Sequence, residues 1–299
     1  MVKTLDLNFL GKPKSIAAFL LPDASGYTMV ECGPYSTHDE LLGQLARVSV
    51  KPGEIHTLLL SHIHFDHAGA AWWWARQGTR VFVHPRGLKH MIDPSRLYNS
   101  ARQIYGDRMG ELWGRMEGIE PDRIQAVADR ETIVRGGNEW IAHHTPGHAS
   151  HHIAWQMKGA VFTGDVGGCR IGNGPVVPPC PPPDIDAEAW HASIERLSSL
   201  RADSFYLTHF GEITDTAAHL TELGDRLDRY VSWMEPYYRD GSTAETVAPL
   251  LKRYVTEELV ASGVGEPDLE SYLAANPPYM SAAGLLRWLR IRDERRSDE

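Results

Sequence analysis

Three imidazoles and a carboxylate fall within six residues in His62-Ile63-His64-Phe65-Asp66-His67. Neutral imidazole nitrogens and carboxylate oxygens are the donors that zinc and related divalent ions prefer. The string follows Thr57-Leu58-Leu59-Leu60, a short apolar run suited to a strand buried on both faces. The donors therefore sit where that strand emerges. Three more donors repeat the placement. His148 follows the strand-like stretch Trp140 to His144 in Thr145-Pro146-Gly147-His148. Asp165 follows Val161-Phe162, and His209 follows Phe205-Tyr206-Leu207. Each stands just past an apolar strand, so all can converge on one edge of a sheet assembly.

The rest of the chain supplies the elements that must hold these donors. β-like runs open it at Leu5 to Leu10, Ile16 to Leu21 and Tyr27 to Glu31, with turns at Gly11-Lys12-Pro13 and residues 22 to 26. Thr37-His38-Asp39-Glu40 has capping-box spacing and leads into Leu41, Leu42, Leu45 and Val48 at helical period. A second helix begins at Ala68 and carries Trp72, Trp73 and Trp74. Adjacent helical residues point about 100° apart. The three indoles therefore cannot share one core face, and at least one is expected at a pocket or a subunit contact. Arg80 to His84 reads as a strand. Residues 86 to 119 form a longer helical stretch, either a roof over the site or a peripheral insertion.

The β pattern returns at Thr132 to Val134, Trp140 to His144, Ile153 to Gln156 and Val161 to Thr163. A stiff proline-rich connection over residues 173 to 183 follows. Asp186 can cap a helix carrying Trp190, Ile194, Leu197 and Leu200, and Ser204 to Thr208 is the next strand. Beyond residue 213 the periodicity is helical throughout, with Ser242-Thr243-Ala244-Glu245 repeating the capping-box spacing. Strands alternating with helices twice, followed by helices alone, suit a sheet sandwich covered by helices with a helical appendage. The expected division is 1–212 and 213–299.

Composition narrows the function classes. The 299 residues can bury a sizeable core without staples, and 42% hydrophobic with 23% charged residues is ordinary for a soluble globular protein. A formal charge of −9 argues against nucleic-acid binding, which needs a basic surface. No apolar run reaches the ~18 residues of a membrane helix. Met1 to Asp6 lacks the apolar segment of a secretory signal. Cys32, Cys169 and Cys180 show no CxxC spacing, which points to a reducing compartment. The expectation is a cytoplasmic protein with a small-molecule substrate and no membrane partner.

Taken together, Glu31-Cys32-Gly33, the HxHxDH string, His148, Asp165 and His209 resemble, in order and strand context, the five motifs of the metallo-β-lactamase-fold superfamily. The glyoxalase II and lactonase-like metallohydrolases are among its members. The similarity covers roughly residues 1 to 212. It implies an α/β fold, a four-layer αβ/βα sandwich with metals at one sheet edge. It implies one ion on His62, His64 and His148, and a second on Asp66, His67 and His209. Asp165 and a hydroxide would bridge the two. Zinc is the default for such donors, with iron or manganese able to occupy them. Glu31 departs from the more usual aspartate at a position beside the ligands rather than among them.

A binuclear centre of this kind activates water near neutral pH and polarises a carbonyl. Asp66 is the residue that could accept the nucleophile's proton and return it to the leaving group. The resemblance therefore implies a metal-dependent hydrolase acting on a small thioester, ester or lactone. The alternatives are a mononuclear iron enzyme like the sulfur dioxygenases, or a metal-containing ligand-binding protein without turnover. Gly167 to Gly172 is only a loose echo of the Gly-Cys-Gly-Arg stretch of the glutathione-linked members. Nuclease members are disfavoured by the acidic charge, and His64 argues against the flavodiiron branch.

Other residues carry smaller expectations. Cys169 is a minority candidate ligand, and Arg170 a candidate anion clamp. His84, His143, His144 and His152 are candidates for orienting the ligands, whereas His38 and His151 read as ordinary. The aromatics of the last third, including Tyr230, Trp233, Tyr254 and Trp288, exceed what surface helices need. They suggest a homodimer contact.

Overall fold

The structure is a computed structural model that describes residues 1–298. Its first half contains β1 (Lys3–Asp6), β2 (Ala17–Asp23), β3 (Gly26–Val30), α1 (His38–Arg47) and β4 (Ile55–Leu59). These are followed by α2 (Phe65–Ala68), α3 (Ala71–Arg76), β5 (Arg80–Val83), α4 (Pro85–Ile92), α5 (Ser95–Tyr105), α6 (Met109–Leu112) and β6 (Ile124–Ala126). The second half contains β7 (Thr132–Arg135), β8 (Asn138–His144), β9 (Ile153–Met157), β10 (Ala160–Phe162), α7 (Ala187–Ser199), β11 (Ser204–Leu207) and β12 (Gly211–Ile213). Four helices end it: α8 (Thr216–Arg239), α9 (Ala244–Ala261), α10 (Glu266–Ala275) and α11 (Pro278–Asp298).

The strands form two six-stranded sheets, ordered β1 to β6 in one and β12 back to β7 in the other. Strand alternation builds the layers. Phe19, Leu21, Leu59 and Phe82 point inward and meet Trp140, Trp155, Phe162 and Tyr206 of the second sheet. Their neighbours Leu20, Leu58, Val81 and Val83 point outward and bury Leu41, Leu45, Trp72 and Trp74 of α1 and α3. On the far side, Val161, Phe205 and Leu207 bury Trp190 of α7 and Leu220, Leu223 and Tyr230 of α8. This is the expected four-layer sandwich.

The topology also sets the site. β4 lies between β3 and β5, parallel to both, which explains its unbroken apolar run. In the second sheet β8, β9 and β10 are successively antiparallel, and β10 is parallel to β11. β8, β10 and β11 therefore all end at one edge. Backbone bonds from Ile153 N to Ser61 O, 2.7 Å, and from Ala17 N to Thr208 O, 2.8 Å, join the sheets there.

Several expectations shift. The first strand spans Lys3–Asp6 rather than residues 5 to 10, because Asn8 and Leu10 adopt left-handed φ values of 48° and 54°. β6 and β12, three residues each, are too short to show periodicity. The boundary expected after residue 212 falls inside β12, so the sheet extends to Ile213. The Thr37 capping box does not form: its Oγ1 donates to Pro34 O. The later box sits one residue downstream, with Thr243 at the cap and Thr246 completing it. Asp186 caps α7 as expected, accepting from Ala189 N.

Trp72 and Trp74 are buried, and Trp73 packs against His38 at 4.2 Å between ring centroids. The tail aromatics also pack internally: Tyr230 and Trp288 are buried, and Trp233 stacks on Tyr254. Internal packing thus engages Tyr230, Trp233, Tyr254 and Trp288, whereas Tyr279 stays 43% exposed. Among the described residues, no helix is long and apolar enough to cross a membrane.

Candidate metal centre

The loop after β4 carries four donors in two directions. His62 and His64, two residues apart, bring their ring centroids to 4.4 Å on one side. Asp66 and His67 fall on the short α2 and turn to the other. Two glycines let the remaining loops close in. Gly164 has φ +51°, and a Cβ there would stand 2.5 Å from Ser61 Oγ and 2.7 Å from His152 Nε2. Gly147 passes so close to α7 that a Cβ would meet Trp190 Cα at 2.5 Å. These approaches place Asp165 and His148 beside the first loop.

The seven donors expected from the sequence resolve into two groups, His62/His64/His148 and Asp66/His67/Asp165/His209. Within each group the donor atoms all lie within 4.8 Å of one another. In the first, His64 Nδ1 is 2.9 Å from His62 Nε2 and 3.1 Å from His148 Nε2. In the second, Asp165 Oδ1 is 3.1 Å from His67 Nε2 and 3.3 Å from His209 Nε2. Asp66 Oδ2 is 3.6 and 3.5 Å from the same two nitrogens. Donors held at roughly 2.0–2.1 Å from one tetrahedral ion stand about 3.3 Å apart. The buried atoms His67 Nε2, His209 Nε2 and Asp165 Oδ1 have no hydrogen-bond partner. Buried polar atoms are rarely left so, and a divalent cation satisfies all of them at once. The residues present fit the metal.

The rings are aimed through their other nitrogens. His62 Nδ1 lies 2.9 Å from Ser61 Oγ, His148 Nδ1 2.8 Å from Pro179 O, and His209 Nδ1 2.6 Å from Ser15 O. His67 Nδ1 lies 3.2 Å from Glu31 Oε1. Such partners fix tautomer and ring orientation in metal sites. His152 belongs to this support, accepting from Val166 N and bonding Thr145 Oγ1. His84 and His144 instead bond the backbone of Arg86 and Val127, and His143 bonds Gln156.

Electrostatics differ between the groups. Burial pushes His62 well below the ordinary histidine value and His64 down to about 4, with neighbouring imidazoles adding to the effect. Burial would also lower His67 and His209. The carboxylates of Asp165 and Asp66 outweigh it, lifting His67 well above its ordinary value and His209 to about 10. Burial would raise Asp66, yet the charges of His67 and His209 bring it down to about 2. Cys169 belongs to neither donor group; burial and the Asp165 charge push its thiol well up.

The centre is the floor of a cavity of about 1060 Å³. His64, Asp66, His148 and Asp165 reach it, and residues from α4, α5 and α6 form one wall, so the 86–119 stretch does line the site. Pro179 and Pro181 to Pro183 of the proline-rich connection also line it, together with Leu273 and Met280. Arg170 is not part of it; its Nε donates to Gly174 O. The cations that do line it are Arg86, Lys89, Arg96 and Arg108. No ligand-like spacing marks them in the sequence. His151, read as ordinary, also lines the cavity, its ring centroid 5.7 Å from that of His64.

A family model described as the metallo-beta-lactamase superfamily matches residues 11–209. A metallo-beta-lactamase fold-containing protein of Sulfurisphaera tokodaii is 27% identical over 161 residues, 52% of this chain. The chain spans only 61% of that relative's length. A metallo-beta-lactamase family protein of Thermus thermophilus superposes with a TM-score of 0.68 at 21% identity, covering 98% of this chain and 93% of that one. A subclass B3 metallo-beta-lactamase isolated from a soil metagenome library gives 0.56 at 19% identity, covering 76% and 91%. At these identities the structural likenesses show the fold alone. The Thermus likeness extends through the C-terminal helices, whereas the family match stops at residue 209.

Proposed function

The chain belongs to the metallo-beta-lactamase superfamily, and from that membership we propose that it is a binuclear metal-dependent hydrolase of a thioester, ester or lactone. One observation carries the binuclear reading. The Asp165 carboxylate joins the two donor groups, with Oδ1 toward His67 and His209 and Oδ2 3.3 Å from His148 Nε2. We assign His62, His64 and His148 to one ion and Asp66, His67 and His209 to the other, with Asp165 shared. Zinc suits the five imidazoles and two carboxylates best; iron and manganese suit them next.

When bound, the two ions would supply a nucleophile from water near neutral pH and polarise the carbonyl under attack. The chain's own residues do the rest. The proline-rich wall and the α4–α6 wall hold the substrate and limit water around it. Asp66 has a side chain 19% exposed, against at most 4% for Asp165 and the buried histidines His67, His148 and His209. With Oδ2 engaged by His67 and His209, its Oδ1 is free to take a proton from the attacking water. The same oxygen can pass that proton to the departing oxygen or sulfur. The three cysteines are buried and unpaired. That agrees with the reducing, cytoplasmic setting we propose.

The test is metal analysis of protein purified without added metal, followed by turnover of a thioester and lactone panel. Two ions per chain are expected, with turnover lost in Asp165→Ala. A single iron per chain with oxygen-dependent thiol oxidation would replace the reading. So would a fully metallated protein without turnover.

A further inference from the structure

The walls of the cavity carry both apolar and cationic side chains. Exposed large apolar side chains are few among the described residues: Met1, Leu10, Ile104, Val134, Val260 and Tyr279. Three of them, Leu10 at 41%, Ile104 at 50% and Tyr279 at 43% exposure, line this one cavity. An apolar surface left open to water around a pocket marks a place that something apolar covers. The surface runs continuously from the metal floor. Phe65, between His64 and Asp66, lies 6.0 Å from Trp113, Trp113 lies 5.3 Å from Tyr105, and Tyr105 Oη reaches Met280 Sδ at 3.8 Å.

A second branch leaves the floor beside His64, through His151 and Ser150. Arg86 reaches Ser150 O with Nη1 at 3.5 Å, and Lys89 and Arg96 follow on α4 and the first turn of α5. All three line the cavity. Among the described residues none has a carboxylate within salt-bridge distance, whereas Arg108, in the turn after α5, is paired with Glu111 at 3.0 Å. In a chain of net charge −9, these three unpaired cations outnumber Asp184, the carboxylate that lines the same branch and accepts from Ser150 Oγ at 2.6 Å.

We propose that the substrate is an acyl ester or thioester with a long apolar acyl chain and an anionic leaving group. The chain lies along Phe65, Trp113, Ile104 and Met280, and the anion meets Arg86, Lys89 and Arg96. The proposal rests on the hydrolase reading above and adds the two ends of the molecule. Hydrolysis splits the acyl carbon–sulfur or carbon–oxygen bond. Water's oxygen goes to the acyl group and a proton to the leaving group, with no redox partner required.

The experiment compares thioesters in the zinc-loaded full-length protein: acetyl and dodecanoyl groups, each on neutral pantetheine and on phosphopantetheine. Each end adds about tenfold or more to kcat/KM, so dodecanoyl-phosphopantetheine is the best of the four. Ile104→Asp, on a half-exposed helix face, removes most of the chain-length preference. The triple variant Arg86→Ala, Lys89→Ala, Arg96→Ala brings the phosphate preference to within about twofold of unity. Turnover that is equal for acetyl and dodecanoyl thioesters, or indifferent to the phosphate, overturns the proposal and leaves the hydrolase reading standing. If no thioester is turned over, the hydrolase reading for this class falls and equilibrium binding decides the cavity. Dodecyl phosphate binding about tenfold tighter than both dodecanol and butyl phosphate keeps the two-ended pocket; equal binding ends it.

Discussion

Glu31 Oε1 and His67 Nδ1 lie 3.2 Å apart in the core of the molecule, with side-chain exposures of 1% and 0%. Glu31 adopts φ +62° just past β3, its N–H donating to Leu59 O, while Oε2 accepts from Ser61 N at 3.3 Å. The residue that departs from the usual aspartate thus sets its charge against His67 and ties down the loop that carries the donors. Its charge also favours the imidazole's Nδ1–H tautomer, which leaves Nε2 to face Asp165.

Glu31→Gln keeps the shape and removes the charge. Metal affinity is expected to fall about 10- to 100-fold, the usual effect of losing a partner that orients a ligand. Competition against a chromophoric chelator measures it. Unchanged affinity would show that His67 is positioned without Glu31.

Removing the shared carboxylate should differ from removing a ligand of one group. Asp165→Ala is expected to lower the content of both ions. His148→Ala should deplete one ion first, because the Asp66, His67 and His209 donors remain. Metal per chain after dialysis against a mild chelator separates the two. Equal losses in both variants would mean that the ions bind as one unit.

Stripping the metals should destabilise the fold, since ions that bind only the folded chain stabilise it by mass action. Chelator treatment is expected to lower Tm by several degrees, corresponding to roughly 3 kcal/mol or more. Zinc should restore it. A Tm indifferent to chelator and zinc would count against a resident metal.

His38 supplies a pH test away from the ligands. Burial depresses it to about 4, and neither ring nitrogen has a hydrogen-bond partner among the Tyr35 and Trp73 rings around it. With the folded value below the unfolded one of about 6.5, its stabilisation is full above that value. It is lost as pH falls from about 6.5 toward 4. The expected contribution is about 2 kcal/mol across that window. Urea unfolding of wild type and His38→Leu at pH 7 and pH 4.5 checks it, the variant showing the smaller drop.

Gly164→Ala should cost roughly 2–3 kcal/mol through the forced Cβ contacts and the left-handed φ. It should also weaken metal retention, because Asp165 moves with that turn. Thermal melts and metal content report the two effects separately. An alanine variant with wild-type stability would mean that Ser61 and His152 yield without cost.

The sequence determined the donor set, the sandwich and the edge where they meet. Each signal was local: apolar runs buried on both faces, such as Leu58 to Leu60, followed at once by His or Asp. The expected donors at His148, Asp165 and His209 all come to that edge because the strand directions require it. Tertiary structure decided the remainder. Glu31 approaches His67, and Ser15 O approaches His209, across 36 and 194 residues of chain, and no periodicity records such pairings. Arg86, Lys89 and Arg96 look in the sequence like an ordinary charged helix surface, and Arg170 looks like the better anion clamp. Only the folding of α4 and α5 over the floor puts the first three at the cavity and turns Arg170 to Gly174. Ligand chemistry is fixed by residue type at a strand end, which one stretch of chain can specify. A substrate pocket is the space between elements distant in sequence, and its shape exists only once they pack.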